Sequence, residues 1–236
     1  MPLCLNPVER EGGELLLPFG TLLIDIGLSL RRRILFSMID VLKRNRFLVE
    51  EQVGLLKTSF RYDVRDPESG EILLQCREGA LSKTTSLFRM TEYRRTTPFD
   101  VRVYTPGDTL VMRLTRGVPV FSSRVRVVDA EDVPIGGFRQ KVFSFASVFD
   151  VVDARNQSVC SLKGKASGTE FRFLTSDGAT LARVTKKWAG TAKELFTNAD
   201  HYLLEIDEAV PMESTIRQLI VSSALCIGLV VKFKLP

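Results

Sequence analysis

Residues 214–236 read STIRQLIVSSALCIGLVVKFKLP, and the apolar run from Leu219 to Val231 is about 13 residues long, holding Ser222 and Ser223. A membrane-spanning helix needs roughly 20 apolar residues, whereas runs of about 10–14 belong more often to buried core helices. The stretch therefore predicts a helix that is apolar on nearly every face and wrapped on all sides by protein. The wrapping has to come from the chain that precedes it.

That chain contains one unit five times: FRYDVRDPESGEILLQCRE (60–78), FDVRVYTPGDTLVMRLTR (99–116), SRVRVVDAEDVPIGGFRQK (123–141), FDVVDARNQSVCSLKGK (149–165) and EFRFLTSDGATLARVTKKW (170–188). Each passes from a β-rich alternating stretch through a turn into a second alternating stretch. The turns carry Asp66-Pro67 with Gly70, Pro106-Gly107 and Asp177-Gly178, residues that preset φ or accept positive φ. The last four units begin 21–26 residues apart, an internal repeat of hairpins. RFLVEEQVG (46–54) and HYLLEID (201–207) add one strand each, which brings the count to about twelve. Short connections make the strands antiparallel. A sheet of that size closes to remove its edges, and a twelve-stranded barrel is wider than its own side chains fill. The expected fold is mainly β: a closed antiparallel barrel around the C-terminal helix, whose Ser222, Ser223, Ala224 and Gly228 let the wall come close.

Residues 1–45 are set apart as an N-terminal arm and 46–236 as the barrel domain. In the arm, LSLRRRILFSMIDVLKR (28–44) puts Leu30, Ile34, Met38, Val41 and Leu42 on one helical face and Arg31, Arg32, Arg33, Lys43 and Arg44 elsewhere. Such a basic amphipathic helix lies on an anionic membrane or packs on the barrel. The segment LLLPFGTLLIDIGL (15–28) is broken by Pro18, Gly20 and Asp25, so it reads as an added strand or packing arm. GALSKTTSLFRMTEY (79–93) reads as a short helix.

Lys and Arg outnumber Asp and Glu by 33 to 28, with a pI near 9.1, a mild bias that suits an anionic partner. Cys4, Cys76, Cys160 and Cys226 lie far apart without a CxxC pair, which excludes a disulfide framework or a zinc site and points to thiols in a reducing cytosol. The start lacks a basic n-region and does not read as a signal peptide. His201, the single histidine, stands beside Asp200 with no nucleophile motif, and PIGGFRQ lacks the ending of a phosphate loop. No covalent catalysis is expected.

KKWAGTAKELFTNADHYLLEID (186–207), followed by the apolar helix, resembles the phospholipid scramblase family. There a basic-Trp-x-Gly element precedes an acidic turn, a strand and an apolar terminal helix. The matching residues are Lys187, Trp188, Gly190, Phe196, Thr197, Ala199 and Asp200; FRYDVRDPESGEILLQCRE and FDVVDA are weaker matches. The resemblance covers about residues 46–236. It implies the tubby-like barrel shared with LURP-one-related proteins, twelve strands around a central helix, and binding of anionic phospholipid at a membrane surface with assistance to transbilayer lipid movement.

The resemblance also implies calcium at the acidic turn, with Asn198, Asp200, Asp207 and Glu208 as the ligand candidates here. Calcium takes six to eight oxygens. The family's first acidic position is Asn198 in this chain, and an EF-hand register would meet Tyr202 and Ala209 where oxygens are needed. Binding at the millimolar level or none is expected. Family members tend to carry an acylated cysteine cluster, whereas this N-terminus has Cys4 alone, and one acyl chain anchors only marginally. Direct scrambling needs a polar path through about 30 Å of hydrocarbon, so peripheral lipid binding in a cytoplasmic setting is favoured.

Arg89, Arg94, Arg95, Arg102, Arg113, Arg116, Arg124 and Arg126 crowd the second and third hairpins. Arg102, Arg124 and Arg126 fall at alternating positions on the outward face of the wall. Lys186 and Lys187 adjoin Trp188, a residue suited to the headgroup zone. The candidate lipid-binding set is therefore Arg94, Arg95, Arg102, Arg124, Arg126, Lys186, Lys187 and Trp188, against the alternative of a merely solvated cationic wall. No RNP-type or helix-in-groove motif points to nucleic acid. Two alternative roles are a scaffold for a protein partner and a barrel that carries lipid without scrambling it.

Overall fold

The structure, a computed structural model, describes residues 41–52, 59–79, 85–87, 97–118, 123–140, 148–164, 169–186, 201–212 and 214–230. Each of the five repeats forms a hairpin. The strands are β1 (Arg46–Glu51), β2 (Arg61–Arg65), β3 (Ile72–Glu78), β4 (Phe99–Tyr104), β5 (Leu110–Arg116), β6 (Arg124–Asp129), β7 (Pro134–Gln140), β8 (Val148–Asp153), β9 (Ser158–Gly164), β10 (Glu170–Leu174), β11 (Thr180–Lys186) and β12 (His201–Ile206). Each pairs antiparallel with its sequence neighbours, and β1 closes the barrel by pairing with both β2 and β12.

Four of the five hairpins are built on one loop. Thr105, Asp129, Asp153 and Thr175 each donate their amide to the carbonyl four residues on, at 2.9–3.0 Å. The side-chain oxygen of each accepts the amide of that same residue, at 2.8–3.3 Å. The residue between them that must take positive φ is Asp108 (57°), Asp132 (61°), Asn156 (63°) or Gly178 (91°). Asp, Asn and Gly tolerate that region best. The β2–β3 loop is one residue longer: Asp66 donates to Glu71 O at 2.9 Å, its Oδ1 accepts from the amides of Glu68 and Ser69, and Gly70 has φ 72°. All five loops lie at one end of the barrel, here the hairpin end.

Inside the wall runs α1 (Thr215–Val230). It starts at the hairpin end, where Ser214 Oγ accepts the Arg217 amide at 3.3 Å as an N-cap. Leu219, Ile220, Val221, Ala224, Leu225, Cys226 and Ile227 are all buried and join one core with the inward residues of the strands. Ser222 and Ser223 turn their hydroxyls onto the helix's own carbonyls, Gln218 O at 2.7 Å and Leu219 O at 2.6 Å, so neither leaves an unsatisfied hydroxyl in the core. Close approach is shared by both partners. Ser222 meets Met112 Sδ at 3.1 Å. On the wall, Gly136 at φ 152° leaves room for Leu219, whose Cδ2 would lie 3.0 Å from a Cβ there.

Three of the expectations meet the structure as follows. Val41 and Leu42, assigned to the arm, are buried in the barrel's core. Within the helix expected over 79–93, residues 85–87 are helical; residues 80–84 and 88–93, Cys4 and the arm before residue 41 lie outside the described residues. Arg116, counted among the wall arginines, points inward. It is buried, sits 4.8 Å from the Phe99 ring centroid and donates to Thr97 O at 2.6 Å and to Ser123 Oγ at 3.3 Å. Its place in β5, two residues on from inward Leu114, puts it on that face.

Candidate functional site: a cationic wall

Cross-strand register aligns four arginines. Arg61 lies opposite Arg77, Arg77 opposite Arg102, and Arg102 opposite Arg113. They occupy outward positions because Tyr62, Cys76, Val101 and Met112, one residue away on each strand, are buried. At about 4.8 Å per strand the row is roughly 14 Å long. Like charges directly opposite on a sheet are unfavourable, and the protein relieves only part of the repulsion. Arg113 makes a two-pronged contact with Asp100, at 2.8 and 2.6 Å. That contact holds the Asp100 carboxyl below its ordinary range and raises the guanidinium's hold on its proton. Arg77 donates to Gln75 Oε1 at 2.6 Å and lies 3.5 Å from Asp108. Arg61 and Arg102 are exposed, and neither side chain makes a hydrogen bond or ion pair among the described residues.

One strand beyond this row is a second feature. Arg124 lies opposite Arg139 and Arg126 opposite Gly137. Gly137, opposite outward Arg126, has no side chain, and the outer wall there sinks into a groove of about 470 Å³ bounded by Arg124, Arg126, Arg139, Pro134 and Val152. The glycines are required by the backbone: a Cβ at Gly137 would lie 2.2 Å from Val125 O, and one at Gly136 2.2 Å from Val152 O.

The expected lipid-binding residues therefore divide. Arg102 stands in the row, Arg124 and Arg126 at the groove, and Lys186 on β11, several strands round the barrel. Arg94, Arg95, Lys187 and Trp188 lie outside the described residues. Sequence reasoning missed Arg61, Arg77 and Arg139. Alternation along their strands places them outward, but only the register sets their height on the wall.

Of the calcium candidates, Asn198 and Asp200 lie outside the described residues. Asp207 follows β12 at the hairpin end, where its Oδ1 accepts the Ala209 amide at 2.9 Å and its own amide donates to Leu181 O at 2.9 Å. Asp207 and Glu208 line a shallow groove of about 290 Å³ with Arg183 and Glu205. The first residue of β12, His201, is at the other end of a six-residue strand, roughly 20 Å along the barrel. There His201 Nδ1 lies 3.5 Å from Glu50 Oε1. Among the described residues no group of three or more His, Cys, Asp and Glu is placed to hold a metal ion.

A twelve-stranded antiparallel barrel closed around a C-terminal helix is the tubby-like architecture, here with an arginine-rich outer wall. The chain belongs to the scramblase family: the family model described as Scramblase matches residues 37–231. Among solved structures, a protein from Arabidopsis thaliana is similar at 13% identity, with 79% of this chain and 92% of that chain covered and a TM-score of 0.47. No helix among the described residues is long and apolar enough to cross a membrane.

Proposed function

We propose that this chain binds anionic phospholipid at a membrane surface and, as a further step of the same action, assists lipid movement between leaflets. The observation that carries the reading is the arginine row, Arg61, Arg77, Arg102 and Arg113, held side by side across four strands with two members unpaired among the described residues. A line of cations at strand spacing is costly to the fold by itself and becomes favourable against a field of negative headgroups. Family membership adds to the reading. The burial of α1 inside the barrel favours action at the outer surface over carriage of lipid within.

Flotation with liposomes tests it. The full chain should float with phosphatidylserine vesicles and not with neutral ones, and should detach as salt rises. Each surface arginine is worth about 1 kcal/mol near an anionic membrane, so Arg61→Gln with Arg102→Gln should weaken binding roughly 30-fold. Absence of binding at low salt would overturn the reading and direct the search to a protein partner.

A further inference from the structure

We infer that the groove above Gly136 and Gly137 is a seat for a single phosphate ester, with Arg124, Arg126 and Arg139 as its ligands. The inference refines the lipid reading, on which it rests for the source of the phosphate, since a phospholipid headgroup is one phosphate ester among others.

Arg124 and Arg139 are directly paired across β6 and β7, and Arg126 faces a glycine where any other residue would place a side chain. Three guanidinium groups thus border one depression. Around them the described residues supply one ion pair, Arg139 with Asp150 at 3.7 Å. Asp150 is itself buried and also accepts from Ser161 Oγ at 3.3 Å. Arg124 and Arg126 are exposed, and neither makes a hydrogen bond or ion pair among the described residues. The planar guanidinium fork matches phosphate oxygens, which accept two parallel hydrogen bonds from it. A phosphate in the groove would relieve the repulsion between Arg124 and Arg139 that the sheet register imposes.

The depression is fixed in the backbone. Gly137, the outward-facing glycine, cannot be exchanged without a 2.2 Å collision with Val125 O, so the space for a ligand there does not depend on a side chain swinging aside. Its volume of about 470 Å³ lies in the range of small-molecule sites. Asp153 and Asn156 close the groove toward the hairpin end. Asp153 Oδ1 is engaged by the amides of Arg155 and Gln157, at 2.9 and 2.8 Å, and its charge repels a second negative group at that edge. One phosphate at the Arg124–Arg139 end is the arrangement that the charges admit.

The test titrates the full chain, without membranes, using inorganic phosphate and glycerophosphoserine, followed by amide NMR, with liposome flotation run alongside. Saturable shifts centred on Gly136, Gly137 and Val152 are expected. Arg126→Gln and Arg139→Gln should each weaken binding roughly tenfold, while Arg183→Gln, on β11, should leave it unchanged. No saturable shift at the glycines, or an equal loss in Arg183→Gln, would overturn the seat. The two readings fail separately. Soluble phosphate binding without flotation keeps the seat and removes the lipid role, whereas flotation without any groove response removes the seat and keeps the lipid role.

Discussion

The guanidinium of Arg217 donates to the carbonyl of Leu42, a partner 175 positions earlier in the chain. The same group reaches Val210 O at 2.9 Å, Arg44 O at 2.7 Å and the Asn45 side chain. Arg217 is 0% exposed and sits in the first turn of α1, where the positive end of the helix disfavours a cation. Burial pushes its pKa down. Several carbonyl-type acceptors offset these costs and tie the entry to β1, the loop after β12 and the start of α1 into one knot. Arg217→Met leaves these buried acceptors without a donor, at about 1–3 kcal/mol for each one left unsatisfied, and should therefore lower stability by several kcal/mol, read from denaturant unfolding. Arg217→Lys should recover little of it, because an ammonium lacks the fork that spans these acceptors. Recovery by lysine to wild-type stability would show that charge alone suffices.

Leu225 is 2% exposed at the middle of α1. An unpaired carboxylate there costs several kcal/mol, against a total stability of about 5–15 kcal/mol for a typical domain. Leu225→Asp should give a chain without a cooperative thermal transition. A soluble variant that melts like the wild type would show that α1 can leave the barrel.

Cys76, Cys160 and Cys226 are buried and unbridged. Burial raises all three thiol pKa values; that of Cys160 reaches about 12, with Asp150 contributing second. In native protein near pH 8, mass spectrometry after brief treatment with a water-soluble maleimide should find these three unmodified, and denaturant should open them together. Rapid labelling of Cys226 in the native state would indicate that the helix exchanges with solvent.

Asp66 organises the β2–β3 loop, and its carboxyl is held down to about 2, first by the Ser69 and Glu68 amides and then by Arg44. A depressed carboxyl contributes stability above its unfolded pKa, about 3.9, and loses it as pH falls through the folded value. Asp66→Asn keeps the acceptor for the loop amides and removes the charge next to Arg44. The gap in melting temperature between wild type and this variant should be constant from pH 5 to 7 and shrink from pH 4 toward 2. A gap that persists at pH 2 would assign the difference to loop geometry.

The hairpins were legible from strand alternation and from the turn residues Asp66-Pro67 with Gly70, Pro106-Gly107 and Asp177-Gly178; the positive-φ positions Asp108, Asp132 and Asn156 emerged only with the loop geometry. The core helix was legible because its apolar run is short and uninterrupted by charge after Arg217. The arginine row was not. Alternation along a strand tells which face Arg61 or Arg77 occupies, but the height at which it meets Arg102 depends on the bulges in β2–β3 and β4–β5, where register shifts by a residue. Arg217 was overlooked for a related reason. An arginine at a helix start reads as solvated, and nothing local shows that carbonyls from residues 42 and 44 will surround it.

The chain order of the elements carries a consequence for biogenesis. α1 follows all twelve strands and begins at Thr215, shortly after β12 ends at Ile206, so the ribosome, at about 5–20 residues per second, completes the casing only a second or so before the filling begins. During that interval Phe47, Phe171, Phe173 and Leu204, all fully enclosed at the end, have nothing to pack against, and β1 waits for β12 before the seam can be sewn. Pairings this distant in sequence form slowly. The core face of the barrel is thus completed by an element made after every strand that lines it.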